Sequence, residues 1–318
     1  MMIVLGLEWT TIWMILGFTF AAYSVVANDS IQTLGTFIAS NKRTKWYILW
    51  GFAASILIIT LSLSYISNGG DIASGRLEKI PFQEVQWYHA VAPLALVILT
   101  RIGIPVSTSL LVLSAFASSL VFESILLKSA LGYGIAAIAA YVLWVVIFRW
   151  DNKFRPVSKE KEFQWRVAQW TATAFLWYSW LSHDIANSAV FLPRNLSVIQ
   201  FILVIGLFVG FLGYILYRRG GKIQNIVMEK SHTNYIRSAT IIDLTYAIIL
   251  FIFKEANSIP MSTTWVFIGL LSGRELAMAS RIAHYKFKNV FPIVGKDLLR
   301  LLFGLAVSVV IALAIQTL

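Results

Sequence analysis

Ala27-Asn28-Asp29, within a strongly apolar stretch, recurs as Ser182-His183-Asp184, and the two aspartates are 155 positions apart. A second motif keeps the same offset, because Pro105–Ser109 (Pro-Val-Ser-Thr-Ser) recurs 155 positions later as Pro260–Thr264 (Pro-Met-Ser-Thr-Thr). Two separate motifs in one register across half the chain indicate an internal duplication. Both copies set acids and hydroxyls beside or within apolar sequence, where a buried carboxylate is costly and marks a functional site. The duplicated motifs therefore predict a site for ions.

The composition predicts a membrane protein. The 318 residues are 58% hydrophobic and 13% charged, with a mean hydropathy of +0.75, whereas soluble domains carry roughly 25% charged residues. The first apolar run lacks the basic start and cleavage site of a signal peptide, so it is expected to be a mature span. The chain has no cysteine, which excludes disulfides and thiolate chemistry. Ten apolar runs approach the roughly 20 residues of a spanning helix: residues 9 to 27, 46 to 66, 87 to 102, 106 to 124, 130 to 148, 166 to 182, 196 to 217, 237 to 253, 261 to 280 and 298 to 317.

The net charge of +11 is interpreted as a membrane-topology signal, and no nucleic-acid partner is expected. Basic residues of membrane proteins gather in cytoplasmic loops. The basic clusters predict that residues 41 to 46, 150 to 165 and 218 to 237 are cytoplasmic and that residues 67 to 86 are external. The expected location is the plasma membrane of a bacterium or an archaeon, with the lipid bilayer as the constant partner.

The polar segment 151–162 divides the chain into a membrane repeat at 1–150, a cytoplasmic linker and a second membrane repeat at 163–318. Loops at equivalent positions of the two copies differ in charge, which predicts opposite orientations in the membrane. The predicted fold class is an all-α polytopic membrane protein. It has two inverted-topology repeats of about five spanning segments each, and discontinuous or re-entrant helices form a site at the midplane.

The acidic motif continues as a polar stripe. Asp29, Gln32 and Thr36 are spaced i, i+3, i+7, which places them on one face of a helix. Asp184 and Asn187 repeat the first of these spacings. The alternative is that Asn28 and Asp29 simply cap a helix, which their residue types favour.

In the hydroxyl motifs, a proline fits the first turn of a new helix. A helix start inside the membrane offers free N–H groups and the positive end of the helix dipole, and such a place binds oxyanions. The alternative is an ordinary capping residue at an interfacial helix start. The predicted substrate-binding residues of both copies are Gln32, Thr36, Ser107, Thr108, Ser109, Asn187, Ser262, Thr263 and Thr264.

At these residues the chain resembles the inorganic phosphate transporter (PiT) family, whose two copies carry a Gly-Ala-Asn-Asp-Val-Ala-Asn type motif and a later Pro-Val-Ser-Thr-Thr motif. Asn28-Asp29 with Gly35-Thr36 match the first copy, and Asp184 with Asn187 the second. Pro105–Thr108 and Ser262–Thr264 match the hydroxyl motifs. The resemblance implies a central site for phosphate and its coupling cations at these positions. Sulfate or another inorganic oxyanion is the alternative substrate.

Two carboxylates in one low-dielectric cavity would repel an oxyanion unless cations or protons neutralise them. The sequence therefore predicts a symporter coupled to Na⁺ or H⁺, with Asn28, Asp29 and Asp184 as the Na⁺ ligands in the sodium-coupled case. His183 is a candidate coupling group, since a histidine beside an aspartate can carry a proton near neutral pH. No enzymatic activity and no cofactor beyond the coupling ion are expected, and a homodimer is one assembly left open.

Two other classes of protein fit parts of the pattern. An intramembrane aspartyl protease would use the two acids as a dyad sharing a proton, but it would leave the hydroxyl motifs unexplained. A passive channel would not concentrate its substrate. Of the remaining charges, Arg101 is interpreted as an interface anchor or an attractor of anions, and Arg274-Glu275 as a local ion pair near a segment end.

Overall fold

The computed structural model describes residues 3–4, 7–102, 104, 106–150, 158–221, 224, 236–256, 261–281 and 286–316. Apart from a pair of two-residue antiparallel strands, β1 (Ile3–Val4) and β2 (Leu7–Glu8), the regular structure of these residues is helical. The expectation of an all-α membrane protein is confirmed at this level.

The helices follow one another with short connections. The first copy contains α1 (Trp9–Ser24), a π-helical turn (Val25–Asp29), α2 (Ser30–Ser40), α3 (Trp46–Ser67), a 3₁₀ turn (Trp87–Ala90), α4 (Val91–Ile102), α5 (Thr108–Val112), a 3₁₀ turn (Leu113–Ala115) and α6 (Ser119–Trp150). The second copy contains α7 (Lys159–Asp184), α8 (Ala186–Ala189), α9 (Val198–Tyr217), α10 (Ile236–Ala256), α11 (Thr263–Arg281) and α12 (Phe287–Gln316). The predicted linker is partly helical, since α7 already begins at Lys159, and residues 151–157 lie outside the described residues.

Six helices among the described residues are long and apolar enough to cross a membrane, and Trp87–Ile102 is a shorter apolar helix. The prediction of one spanning segment over 106 to 124 is wrong. That stretch is split, because α5 and its 3₁₀ turn end at Ala115 and Ser118 then caps a new helix by accepting from the Val121 amide at 3.5 Å. α6 consequently absorbs the end of this run and the whole of the next one.

Helices at equivalent places in the two copies run in opposite directions. α3 and α9 pack against each other, with Trp46 at the start of α3 against Tyr217 at the end of α9 and a ring-centroid distance of 5.5 Å. At their other ends, Tyr65 stacks on Phe201 at 4.2 Å. These two pairs make the helices antiparallel.

Loop contacts sort the connections onto two faces of the molecule. On one face, Arg219 donates to the Thr44 carbonyl at 2.8 Å and Arg166 to Asn41 Oδ1 at 2.8 Å. On the other face, the Leu196 amide donates to the Gly70 carbonyl at 3.1 Å. The grouping agrees with the sequence-based division into residues 41 to 46, 150 to 165 and 218 onward against residues 67 to 86.

α6 and α11 pack unusually closely because α11 carries glycines four residues apart. A Cβ added at Gly269 would lie 2.4 Å from the Tyr133 carbonyl oxygen, and one added at Gly273 would lie 2.0 Å from the Ala137 carbonyl oxygen. Small residues at this spacing let two membrane helices approach backbone to backbone. This contact fixes the start of α11, which carries the second hydroxyl motif.

The ion pair Arg274–Glu275 lies inside α11, so its expected place at a segment end is wrong. Both side chains are fully buried, Arg274 Nη1 lies 3.1 Å from Glu275 Oε1, and the guanidinium lies 5.3 Å from the Trp144 ring centroid. Pairing and the aromatic face offset the desolvation of the arginine.

Candidate functional site

Both acidic motifs lie where a helix departs from regular α geometry. Asp29 is the last residue of the π-helical turn between α1 and α2, and Asp184 is the last residue of α7, one residue before α8. π-turns occur frequently at functional sites. The alternative that Asp29 caps a helix is wrong, because its side chain makes no capping hydrogen bond to α2. Both aspartates are 1% exposed.

The hydroxyl motifs begin helices, as predicted. Ser107 caps α5 by accepting from the Leu110 amide at 3.1 Å, and Ser262 caps α11 by accepting from the Trp265 amide at 3.2 Å. These capping roles occupy one serine of each copy. Pro105 and Pro260 lie outside the described residues.

The two hydroxyl motifs meet and exchange equivalent hydrogen bonds. Ser109 Oγ donates to the Met261 carbonyl at 3.1 Å, and Thr264 Oγ1 donates to the Val106 carbonyl at 3.4 Å. Ser109 corresponds to Thr264, and Val106 corresponds to Met261, at the same offset of 155 positions. The last hydroxyl of each motif therefore bonds to the start of the other motif.

The aspartates use the hydroxyls of both copies in the same reciprocal way. Asp29 lies beside the hydroxyls of Thr108 and Thr264. Asp184 lies beside the equivalent hydroxyls of Thr263 and Ser109, with Ser109 Oγ 3.4 Å from Asp184 Oδ1. The two carboxyl groups are close enough to interact electrostatically. The site is therefore built from both halves of the chain at once.

Amides from the acidic motifs complete the site. Asn28 Nδ2 donates to Asp29 Oδ1 at 2.6 Å and to the Val106 carbonyl at 2.7 Å, which ties the first acidic motif to the first hydroxyl motif. Gln32 Nε2 donates to Asn28 Oδ1 at 3.2 Å. Asn187 Nδ2 donates to Asp184 Oδ1 at 2.8 Å. Each acid thus has one oxygen held by a neighbouring amide.

Several buried oxygens of this site have no hydrogen-bond partner in the structure. They are Asp29 Oδ2 and Asp184 Oδ2, and also Gln32 Oε1 and Asn187 Oδ1. Each pair is again related by 155 positions. Buried polar atoms normally have partners, so each unpaired one requires an explanation. Thr108 Oγ1 is likewise buried and outside any hydrogen bond, which adds a donor to this set of acceptors.

Thr36 does not join this cluster. It lies at a second buried acid, Asp243 of α10, to which its hydroxyl donates. The Thr173 hydroxyl of α7 donates to the other oxygen of Asp243 at 2.6 Å. Asp243 is fully buried. The sequence analysis missed this residue, although it is the one acid of the apolar run 237 to 253 and intramembrane acids are functional candidates by default.

His183 is buried beside the site but points away from the hydroxyl motifs. Its Nε2 lies 2.7 Å from the Leu250 carbonyl oxygen of α10. Consecutive residues of an α-helix are rotated by about 100°, which explains why the ring does not follow Asp184. The geometry connects His183 to α10 rather than to the acid next to it in sequence.

The chain is similar over nearly its whole length to a solved structure, "The sodium-dependent phosphate transporter". The similarity has a TM-score of 0.65 at 16% sequence identity and covers 97% of this chain and 99% of the other. At this identity it establishes a shared fold. No family model matches the chain, and no curated protein sequence matches it.

Proposed function

We propose that this chain is a secondary active transporter that carries inorganic phosphate across the membrane together with Na⁺. The observation that carries the proposal is the equivalent placement of unpaired buried oxygens, one carboxylate and one amide oxygen from each copy. The fold shared with a sodium-dependent phosphate transporter supports the same substrate and the same coupling ion.

Na⁺ fits the oxygens that the site leaves unpaired. Hard cations take carboxylate, amide and hydroxyl oxygens as ligands, and the unpaired set includes all three kinds. A bound cation would also remove the repulsion between Asp29 and Asp184, which is strong in a low-dielectric interior. We therefore assign the coupling ions to Asn28, Asp29 and Asp184, with the amide oxygens of Gln32 and Asn187 as additional ligands.

The hydroxyl motifs supply the donors that phosphate needs. Thr108, Thr263 and Thr264 converge on the two carboxyl groups, and α11 adds the positive end of a 19-residue helix at Thr263. Ser109 completes the set. Because these donors lie beside the acids, phosphate binds favourably only when cations occupy the carboxylates.

The membrane potential imposes the same coupling. Moving one negative charge inward against an interior-negative potential costs about 2.3 kcal/mol per 100 mV. Symport with enough Na⁺ to cancel the charge of the anion removes this cost. The buried carboxylates thus make co-transport a requirement of the site.

We further propose that residues 1–150 and 163–318 are inverted repeats joined at 151–162, and that they rock around the shared site to give alternating access. The antiparallel pair α3 and α9 and the reciprocal bonds between hydroxyl motifs support this arrangement. Asp243, with Thr36 and Thr173, is a further carboxylate that must be neutralised in the interior, and we include it among the candidate cation sites.

The test is uptake of labelled phosphate by proteoliposomes under separately imposed Na⁺ and pH gradients, with sulfate as competitor. We expect accumulation driven by the Na⁺ gradient and competition by unlabelled phosphate. The double variant Thr263→Ala/Thr264→Ala is expected to weaken phosphate binding, because each hydrogen bond to a charged group contributes roughly 1.5–3 kcal/mol. Uptake that ignores both gradients would refute coupling, and competition by sulfate alone would replace the substrate.

A further inference from the structure

An open cavity of about 220 Å³ lies next to the π-helical turn, outside the site described above. It reaches Ala27, the residue before Asn28, and is bounded by α1, α4 and the end of α9. Since one water takes about 30 Å³, the cavity has room for an inorganic oxyanion with part of its hydration shell.

The described lining residues offer donors, and none of them is acidic. Arg101 and Arg218 are exposed and supply two guanidinium groups. Tyr23 and Tyr214 add phenol groups to the wall. Arg101 is positioned over the Tyr23 ring, with 5.8 Å between the guanidinium carbon and the ring centroid.

One lining hydroxyl is left without a partner. Thr100 is 5% exposed, lines the cavity, and its Oγ1 makes no hydrogen bond in the structure. A buried hydroxyl without a partner normally loses stability. A ligand with acceptor oxygens inside the cavity would satisfy it.

The mouth of the cavity is fixed on one face of the protein. Arg219, Gly220 and Gly221 have φ values of 53°, 88° and 62°, so three successive left-handed residues turn the chain sharply after α9. Arg219 holds this turn to the Thr44 carbonyl at 2.8 Å. The cavity therefore connects the face that carries Thr44 to the backbone beside Asp29.

We propose that this cavity is a second, transient anion site, at which Arg101 and Arg218 collect or release phosphate on the face that carries Thr44. The inference rests on the proposed transport function and adds a station on its route. A cleft lined by charges of one sign raises the local concentration of an opposite ion and its association rate. Arg101 has no basic counterpart in the second copy, since Ala256 stands 155 positions later, so the station serves one face only.

The test compares phosphate kinetics at the two faces, using right-side-out and inside-out vesicles at constant Na⁺. Arg101→Gln and Arg218→Gln are each expected to lower kcat/KM on the order of three- to tenfold at the face carrying Thr44, the lower range of electrostatic steering. KM at the opposite face stays unchanged. Arg218→Lys, which keeps the charge, retains most of the parent rate, and Arg43→Gln serves as a matched control because it is exposed but lies outside the cavity.

Ionic strength gives a second readout. The Debye length falls from about 10 Å at 0.1 M to about 3 Å at 1 M, so the difference between parent and variants shrinks when choline chloride is added. Variants with parental kinetics at both faces would overturn the station, and so would an equal loss at both faces, which indicates a structural effect. If the parent itself transports no phosphate at either face, both this inference and the proposed function fail.

Discussion

Asp29→Asn and Asp184→Asn test the cation site most directly, because each keeps size and hydrogen-bonding groups while removing one charge. The amide can still accept from Asn28 at Asp29, or from Asn187 at Asp184. What is lost is attraction for a cation, about 4 kcal/mol for unit charges 4 Å apart at an effective dielectric constant of 20. This loss weakens Na⁺ binding by about 1000-fold.

Thermal unfolding of the purified protein measures this loss without any transport step. At a Na⁺ concentration 100 times its Kd, binding stabilises the parent by about 2.7 kcal/mol, whereas a 1000-fold weaker site leaves less than about 0.1 kcal/mol. The rise in Tm with Na⁺ should therefore vanish in both variants. In Na⁺-free buffer the variants should be no less stable than the parent, since a buried charge has been removed.

Asp71→Asn is the matched control for this experiment. Its carboxylate lies outside the site and accepts from the Ala73 amide at 2.7 Å and the Gly75 amide at 2.9 Å. We expect this variant to lose some stability but to keep the full Na⁺-dependent rise in Tm. Site variants that keep the rise and still concentrate phosphate like the parent would refute the assignment of Asp29 and Asp184.

Three further predictions follow from the packing, the second acid and the topology. Gly273→Ala should prevent α6 and α11 from packing and so abolish folded protein in detergent, because its Cβ would lie 2.0 Å from a carbonyl oxygen, while Gly134→Ala, with open space at its Cβ, should behave like the parent. Asp243→Asn should lower the Hill coefficient for Na⁺ activation if this acid holds a coupling ion, and an unchanged coefficient would assign it to packing. In the cysteine-free chain, a cysteine at Asp71 should react with an impermeant maleimide in intact cells and one at Thr44 should not, and the opposite result would reverse the predicted orientation.

Duplication explains why the sequence predicts most of the central site. The equivalence of Asp29 with Asp184 places one acid of each copy in a shared cavity, and the structure brings them together with the hydroxyls of both copies. Helix starts at Ser107 and Ser262 follow from local proline and serine chemistry, which needs no knowledge of tertiary contacts.

The sequence analysis misplaced Thr36 because helical spacing predicts a direction and not a depth. Seven residues at 1.5 Å each separate Thr36 from Asp29 by about 10 Å along the helix. The hydroxyl therefore reaches the level of Asp243, which belongs to the other copy. Asp243 itself has no acidic counterpart, since Tyr88 stands 155 positions earlier, and a comparison of the two copies could not reveal it.

The reciprocal contacts also constrain how such a site can open. Each aspartate takes hydroxyls from both motifs, and each motif donates to the other's first carbonyl. A movement of one half against the other must therefore alter the surroundings of both carboxyl groups together. Cations that hold these oxygens in place would stabilise one arrangement of the halves, and their departure would free the oxygens and the hydroxyls in the same step. Coupling between cation and oxyanion then follows from shared ligands, without a separate signal between two distant sites.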